Sequence, residues 1–182
     1  MNIAPDTPFH YDSRTRRLHW LTAGLVIILW CLGQTIDWLP HGAPRVFVRS
    51  THICIGALLA ALLTYRLWWR ATGGLHLPAL GSGILRRLGK SMHLALYACL
   101  LAAVVLGLAN VWVRGDTVFY LFKVPAFDKG NQALRASAED FHALAANLLL
   151  ILSGVHAAAG LAHHFLMKDG RFARMLPKRG TP

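Results

Sequence analysis

The chain has 182 residues, of which 55% are hydrophobic and 15% charged, with 19 Lys and Arg against 8 Asp and Glu and a formal net charge of +11. Its mean hydropathy is +0.43, and the apolar residues come in long blocks rather than alternating with charge, which is membrane-protein composition. The excess of positive charge fits topology and anionic headgroups rather than nucleic acid, because no interleaved basic and aromatic patch is present.

A membrane span needs about 20 mostly apolar residues, and four stretches qualify. They predict an all-α fold, a four-helix transmembrane bundle forming one domain over residues 1–182, with no low-complexity tract and no clear internal repeat. The first span, roughly Arg17 to Ile36, opens with RRLHW and so places His19 at its start. It is too long, and too poor a match to a small-residue cleavage site, to be a removable signal peptide. The second, roughly Val46 to Trp69, is entered through RSTHICIG and carries His52. The third, roughly Leu88 to Val113, carries His93 near its start, and the fourth, roughly Glu139 to Met167, carries His142, His156, His163 and His164.

Cytoplasmic flanks collect Lys and Arg. The N-terminal tail (Arg14, Arg16, Arg17), the second connection with its flanks (Arg66, Arg70, Arg86, Arg87, Lys90) and the C-terminus (Lys168, Arg171, Arg174, Lys178, Arg179) hold 13 of the 19. The first and third connections hold Arg45, Arg49, Arg114, Lys123, Lys129 and Arg135, offset by Asp37, Asp116, Asp128, Glu139 and Asp140. Both termini are therefore expected in the cytoplasm.

Cys31, Cys54 and Cys99 all fall inside expected spans, too far apart for a CxxC redox or zinc motif. There is no CxxCH for covalent haem, and no dinucleotide fingerprint, P-loop, nucleophile elbow or HExxH. The chemistry has to come from the histidines, since ionisable residues inside a span are functional by default.

Fourteen residues separate His142 from His156, which is about 40° short of four full turns and a rise of about 21 Å. Both imidazoles face the same way, one per leaflet. His142 matches the expected depth of His52, and His156 that of His19. Two pairs drawn from different helices are what two stacked six-coordinate haems b need. Four residues after each histidine, on the same helix face, stand Ala23, Gly56, Ala146 and Gly160. All four are small enough to leave room for a macrocycle, although small residues also serve helix packing. His93 is followed by Tyr97 and His163 by Met167, so neither fits that pattern. His93, near the cytoplasmic end, lacks a sixth ligand to pair with and is read as a hydrogen-bonding group for a propionate or a quinone. His163 and His164 lie at the cytoplasmic interface. No role is assigned to His10, His41 or His76.

With these residues in place, the chain resembles the prokaryotic cytochrome b561 family. The likeness runs from Arg16, His19 and Trp20, through His52 with Gly56 and His93 with Tyr97, to the block His142, Ala146, Asn147, Leu148, Gly154, His156, Ala157 to Ala159, Leu161, Ala162, His163 and His164. The tail KDGRFARMLPKR resembles the family's C-terminus. The resemblance implies a four-helix protein of the bacterial inner membrane that binds two haems b and passes electrons between the periplasmic side and the ubiquinone pool. It implies His19 with His156 and His52 with His142 as axial ligands, and a role for His93 and His163 near the quinone or the inner haem. It also brings superoxide oxidation coupled to ubiquinone reduction as an activity known in the family. A second reading stays open: a non-catalytic haem relay or anchor that accepts electrons from a docked redox protein, dehydrogenase or hydrogenase. A third, a small transporter with histidine proton relays, requires a colourless protein.

Bis-histidine ligation saturates iron, so such haems cycle between iron(II) and iron(III) rather than binding oxygen. Their propionates need cations near the interfaces. Arg49 is the candidate on the outer side and Arg16, Arg17 or Arg66 on the inner, with snorkelling to lipid phosphate as the competing explanation. For an anionic donor such as superoxide, Arg45, Arg49, Arg114 and Lys123 are the candidate funnel. The aromatic residues of the third connection, Phe119, Tyr120, Phe122 and Phe127, either pack over the outer haem or present a docking face.

Overall fold

The computed structural model describes residues 10–78, 80, 83–128 and 130–177. Of the basic residues behind the expected orientation, Lys129, Lys178 and Arg179 lie outside that set.

Four long helices dominate: α1 (Ser13–Ile36), α2 (Ala43–Thr72), α3 (Gly83–Arg114) and α4 (Gln132–Phe165). Each is long and apolar enough to cross a membrane, so the four-helix transmembrane bundle expected from the sequence is what the chain forms. The helices start earlier than the apolar stretches do, most clearly α4, because polar caps extend them beyond the hydrocarbon-length segment. Asp12 caps α1, its carboxylate accepting from the Thr15 amide at 2.8 Å and from the Thr15 hydroxyl at 2.6 Å. Asn131 caps α4 by accepting from the Leu134 amide at 2.9 Å. At 34 residues, α4 is about 51 Å long, well beyond the roughly 30 Å hydrocarbon core.

A two-residue ladder joins β1 (Thr117–Val118) to β2 (Phe122–Lys123), antiparallel, with Thr117 opposite Lys123. Its turn places Phe119 and Tyr120 at φ 50° and 59°, a left-handed conformation that bulky residues seldom adopt. Ser50 of α2, fully buried, holds it there: its hydroxyl accepts from the Phe119 amide at 2.8 Å and donates to the Val46 carbonyl at 2.7 Å. Gly115, which ends α3 at φ 67°, is required twice over, since a Cβ there would stand 2.7 Å from that of Ala126.

The start of α1, the end of α2, the start of α3 and the end of α4 lie at one end of the bundle, the tail end; the α1–α2 turn and the β-hairpin form the hairpin end. At the tail end a short 3-10 helix (Phe172–Met175) folds back under α1 and α4. The Tyr11 amide donates to the Arg174 carbonyl at 3.2 Å, the Trp20 indole to Met175 at 3.1 Å and Arg16 to Leu176 at 2.6 Å.

Packing is strongest within two helical hairpins, α1 on α2 and α3 on α4, and thinner between them. The buried cluster that bridges the hairpins is Val26, Leu29, Leu59, Leu63, Leu100 and Leu149. Val26 follows His19 by seven residues, Leu59 follows His52 by seven, Leu100 follows His93 by seven, and Leu149 lies seven from both His142 and His156. Seven residues are two turns, about 10 Å. The core is thus an apolar layer midway between two levels of histidine. Most other large apolar side chains point outward, Leu94 being 72% and Ile151 62% exposed, a surface suited to lipid rather than water.

Candidate functional site

The four helices carry their histidines to two levels. At the hairpin end His52 and His142 face each other with ring centroids 6.1 Å apart. At the tail end His19 and His156 do so at 6.3 Å. A metal–imidazole bond is about 2 Å long, and the ring centre lies about 1 Å behind its nitrogen. Two imidazoles on opposite sides of one iron therefore have centroids about 6 Å apart. Both pairs match that separation. Among the described residues no three His, Cys, Asp or Glu side chains form a metal-binding group. Two imidazoles suit a group that brings its own equatorial donors, and that is the description of haem.

The hairpin-end pair is held by backbone. His142 Nδ1–H donates to the Ala103 carbonyl at 3.0 Å; a carbonyl can only accept, so this bond fixes the tautomer and leaves Nε2 free as a ligand. The ring reaches that carbonyl by lying against Gly107, where a Cβ would come within 3.0 Å of it. The same device recurs on α1. A Cβ at Gly33 would lie 3.5 Å from the His52 ring, and the backbone of Leu29, four residues earlier, approaches His52 Nδ1, which is buried without a hydrogen bond of standard geometry.

These glycines were not among the expected site residues. Gly33 stands 14 residues after His19 and Gly107 14 after His93, the same interval that separates His142 from His156. An offset of 74 residues therefore maps His19, Val26, Leu29 and Gly33 of α1 onto His93, Leu100, Ala103 and Gly107 of α3. An offset of 90 maps His52, Leu59 and Arg66 of α2 onto His142, Leu149 and His156 of α4. The same spacing of histidines, core residues and glycines thus recurs in the two helical hairpins, at positions too sparse to register as sequence similarity.

The tail-end level is more crowded. His93 lies 5.3 Å from His156, closer than His19 does, and about 1 Å too close for iron to sit between the two rings. Arg66 reaches the same level, donating through Nε to the Tyr97 hydroxyl at 3.2 Å and resting over the Tyr97 ring at 5.4 Å, with a terminal nitrogen 3.4 Å from His19 Nδ1. His163 takes a separate partner: its Nδ1 lies 2.8 Å from an Asp169 carboxylate oxygen that also pairs with Arg171 at 2.9 Å.

Of the four small residues flagged after the histidines, Gly56 opens onto free space, whereas Gly160 does not: Phe172 of the 3-10 helix lies 3.4 Å from where its Cβ would be. Gly160 admits the tail segment, which a helix-by-helix reading had no means to foresee. Asn147, part of the family-like block, accepts from the Trp30 indole at 2.8 Å and ties α4 to α1. The aromatic residues of the hairpin disperse: Phe119 packs on Phe47 and Phe127 on Trp112, while Tyr120 and Phe122 are exposed. Among the cations at the hairpin end, Arg49 and Arg114 share Asp116, and Arg45 is tied to the carbonyls of Asp37 and Leu39.

The prokaryotic cytochrome b561 family model matches residues 10–178. The chain is 34% identical over 187 residues to cytochrome b561 homolog 2 of Escherichia coli, covering 97% of this chain and 96% of that one. It is 30% identical over 166 residues to cytochrome b561 homolog 1 of the same organism, covering 89% and 94%. It is 27% identical over 164 residues to the probable superoxide oxidase CybB of Yersinia pestis, covering 89% and 93%. The chain belongs to the prokaryotic cytochrome b561 family, haem b proteins of membrane electron transfer.

Proposed function

We propose that this chain is a two-haem oxidoreductase of the bacterial inner membrane that takes electrons from a one-electron donor on the periplasmic side and delivers them to ubiquinone. The observation that carries the reading is the recurrence of one imidazole separation, 6.1 and 6.3 Å, at two levels of the bundle. His52 and His142 hold the haem at the hairpin end, His19 and His156 the haem at the tail end, and residues 1–182 act as one unit. The tail end is taken as cytoplasmic, a reading supported by the distribution of Lys and Arg. Superoxide is the favoured donor, on the strength of the Yersinia relative's name and of the cluster of Arg49, Arg114 and Arg135 at the hairpin end.

The bound haems supply reversible one-electron chemistry; the protein's residues set its conditions. The Ala103 carbonyl holds the Nδ1–H of His142 and so leaves its Nε2 for iron, while Gly107 and Gly33 give the His142 and His52 rings room against the neighbouring helices. At the tail end Arg66 has to move. A guanidinium only donates, so His19 Nδ1 accepts in the present contact, yet an imidazole ligating through Nε2 carries its hydrogen on Nδ1. Turning Arg66 toward a propionate resolves the conflict. His93, beside the ligand His156, and His163, held by Asp169, are the imidazoles we assign to hydrogen-bonding a quinone carbonyl.

The test is rapid mixing of the purified protein without partners. Reduction of its haem spectrum by superoxide and reoxidation by soluble ubiquinone is the expected result. Reduction only by a docked redox protein would favour the relay reading instead.

A further inference from the structure

One turn beyond His52 and His142, toward the β-hairpin, Arg49, Arg114, Asp116, Arg135 and Glu139 line a polar cavity of about 340 Å³. Arg49 precedes His52 by three residues on α2, and Glu139 precedes His142 by three on α4. Arg135 stands one turn further along α4, and Arg114 ends α3 just before Asp116. The Asp116 side chain is only 11% exposed, 3.7 Å from the Arg49 guanidinium and 3.5 Å from that of Arg114. Arg114 commits its short contact, 2.8 Å, to Glu139, whose side chain is 50% exposed. Asp116 is therefore a buried carboxylate attracted by two guanidiniums at distances too long for good hydrogen bonds.

Resting on the reading that His52 and His142 hold a haem, we propose that Asp116 is the proton acceptor coupled to that haem, taking up one proton as the haem gains one electron. Charge counting supplies the reason. Three guanidiniums face two carboxylates in the cavity. A haem brings two propionates, which require cations, and the cavity one turn from its ligands offers them. Four carboxylates would then meet three guanidiniums and the single positive charge of the iron(III) porphyrin core, which balances in the oxidised state. An added electron cancels that positive charge and leaves one carboxylate in surplus in a site poorly reached by water. Asp116 is the group that yields, because burial already raises its pKa above the ordinary carboxylate value against the pull of Arg114 and Arg49, whereas Glu139 has water to solvate it. Among the described residues the charged groups acting on Asp116 are Arg49 from α2, Arg114 from the end of α3 and Glu139 from α4, and Arg135 lines the same cavity; Arg45 adds its field at Arg49. The balance is simple. One electron from the donor converts iron(III) to iron(II), and one proton passes from a solvent hydronium ion to the Asp116 carboxylate, an O–H bond forming on the carboxylate as one breaks in the hydronium ion and water is released.

The expected readout is electrochemical. Protonation stabilises the reduced state, so the midpoint potential of the hairpin-end haem should fall as pH rises through the interval between the carboxyl pKa of the oxidised and reduced forms. The limit is a tenfold change in the reduction equilibrium per pH unit, or 59 mV. The experiment is a spectroelectrochemical titration of the detergent-solubilised holoprotein from pH 5 to 8, for wild type and Asp116→Asn. The proposal expects a sloping potential for one haem in wild type and a flat one in Asp116→Asn, with the tail-end haem alike in both. A flat hairpin-end potential in wild type overturns it, which needs no variant to fold. A slope that survives in Asp116→Asn overturns it as well. A protein that binds only one haem overturns the two-haem reading and this proposal with it, whereas two haems with flat potentials overturn this proposal alone.

Discussion

The two histidine levels are built from helices that share one spacing of residues, yet the levels are not equivalent. At the hairpin end the facing residues, His52 and His142, correspond to each other under the offset that maps α2 onto α4, and each ring rests on a glycine of the neighbouring helix. At the tail end the correspondence breaks. His156 is the counterpart of Arg66, and His19 that of His93, so four side chains compete where two would ligate an iron. At the hairpin end a backbone carbonyl fixes one ring of the pair before any cofactor arrives; the tail-end level, made of contacts between side chains and closed underneath by the folded-back C-terminal segment, has more ways to rearrange. Fixed geometry suits an electron entry site, and a rearranging, proton-bearing site suits quinone chemistry.

Removing a ligand is the strongest way to break this comparison. His52→Ala or His142→Ala should leave one haem per chain, that of the tail end, and His19→Ala or His156→Ala should leave that of the hairpin end. His93→Ala should keep both. Haem content with the reduced optical spectrum checks this, and loss of a haem from His93→Ala would mean that the tail-end pairing is wrong.

The glycine supports come next. Gly107→Val puts bulk where even a Cβ lies 3.0 Å from His142, and should weaken haem retention at the hairpin end by about 10- to 100-fold. Gly24→Ala, which meets nothing within 4 Å, should change nothing. Haem loss to apomyoglobin, followed optically, separates the two.

At the rearranging level, His163→Ala should keep both haems and reduction by an outer donor while slowing reoxidation by ubiquinone at least tenfold, about 1.4 kcal/mol of barrier. Stopped-flow reoxidation reads this. An unchanged rate moves the quinone site away from the tail end.

The smallest expected effect lies outside both levels. Burial acts to raise the Asp12 carboxyl pKa, but hydrogen bonds from the Thr15 hydroxyl and amide and from the Leu75 amide bring it below 3.8 overall. A lowered folded-state pKa stabilises above the unfolded value and loses that contribution as pH falls through the folded one. Asp12→Ala should therefore cost about 1 kcal/mol at neutral pH, with the difference shrinking below pH 3.8. Thermal unfolding at several pH values checks this, and the haem spectrum should not move.

Much of this arrangement was legible in the sequence. Apolar blocks located the helices, and the 14-residue interval on α4 located the two levels, because depth in a bilayer is set by rise per residue alone. The glycine cradles were missed because which residue of one helix touches a histidine on another depends on helix rotation, which hydropathy does not encode. The repetition of that 14-residue interval at His19–Gly33 and His93–Gly107 is the cue that would have found them. Phe172 over Gly160 was illegible for a different reason: a folded-back tail has no periodicity to betray it.

The central claim is that two histidine pairs hold two haems. A pyridine haemochrome assay against protein concentration, on the purified wild-type chain, tests it most directly: two b-type haems per chain is the expected result, and one or none contradicts it.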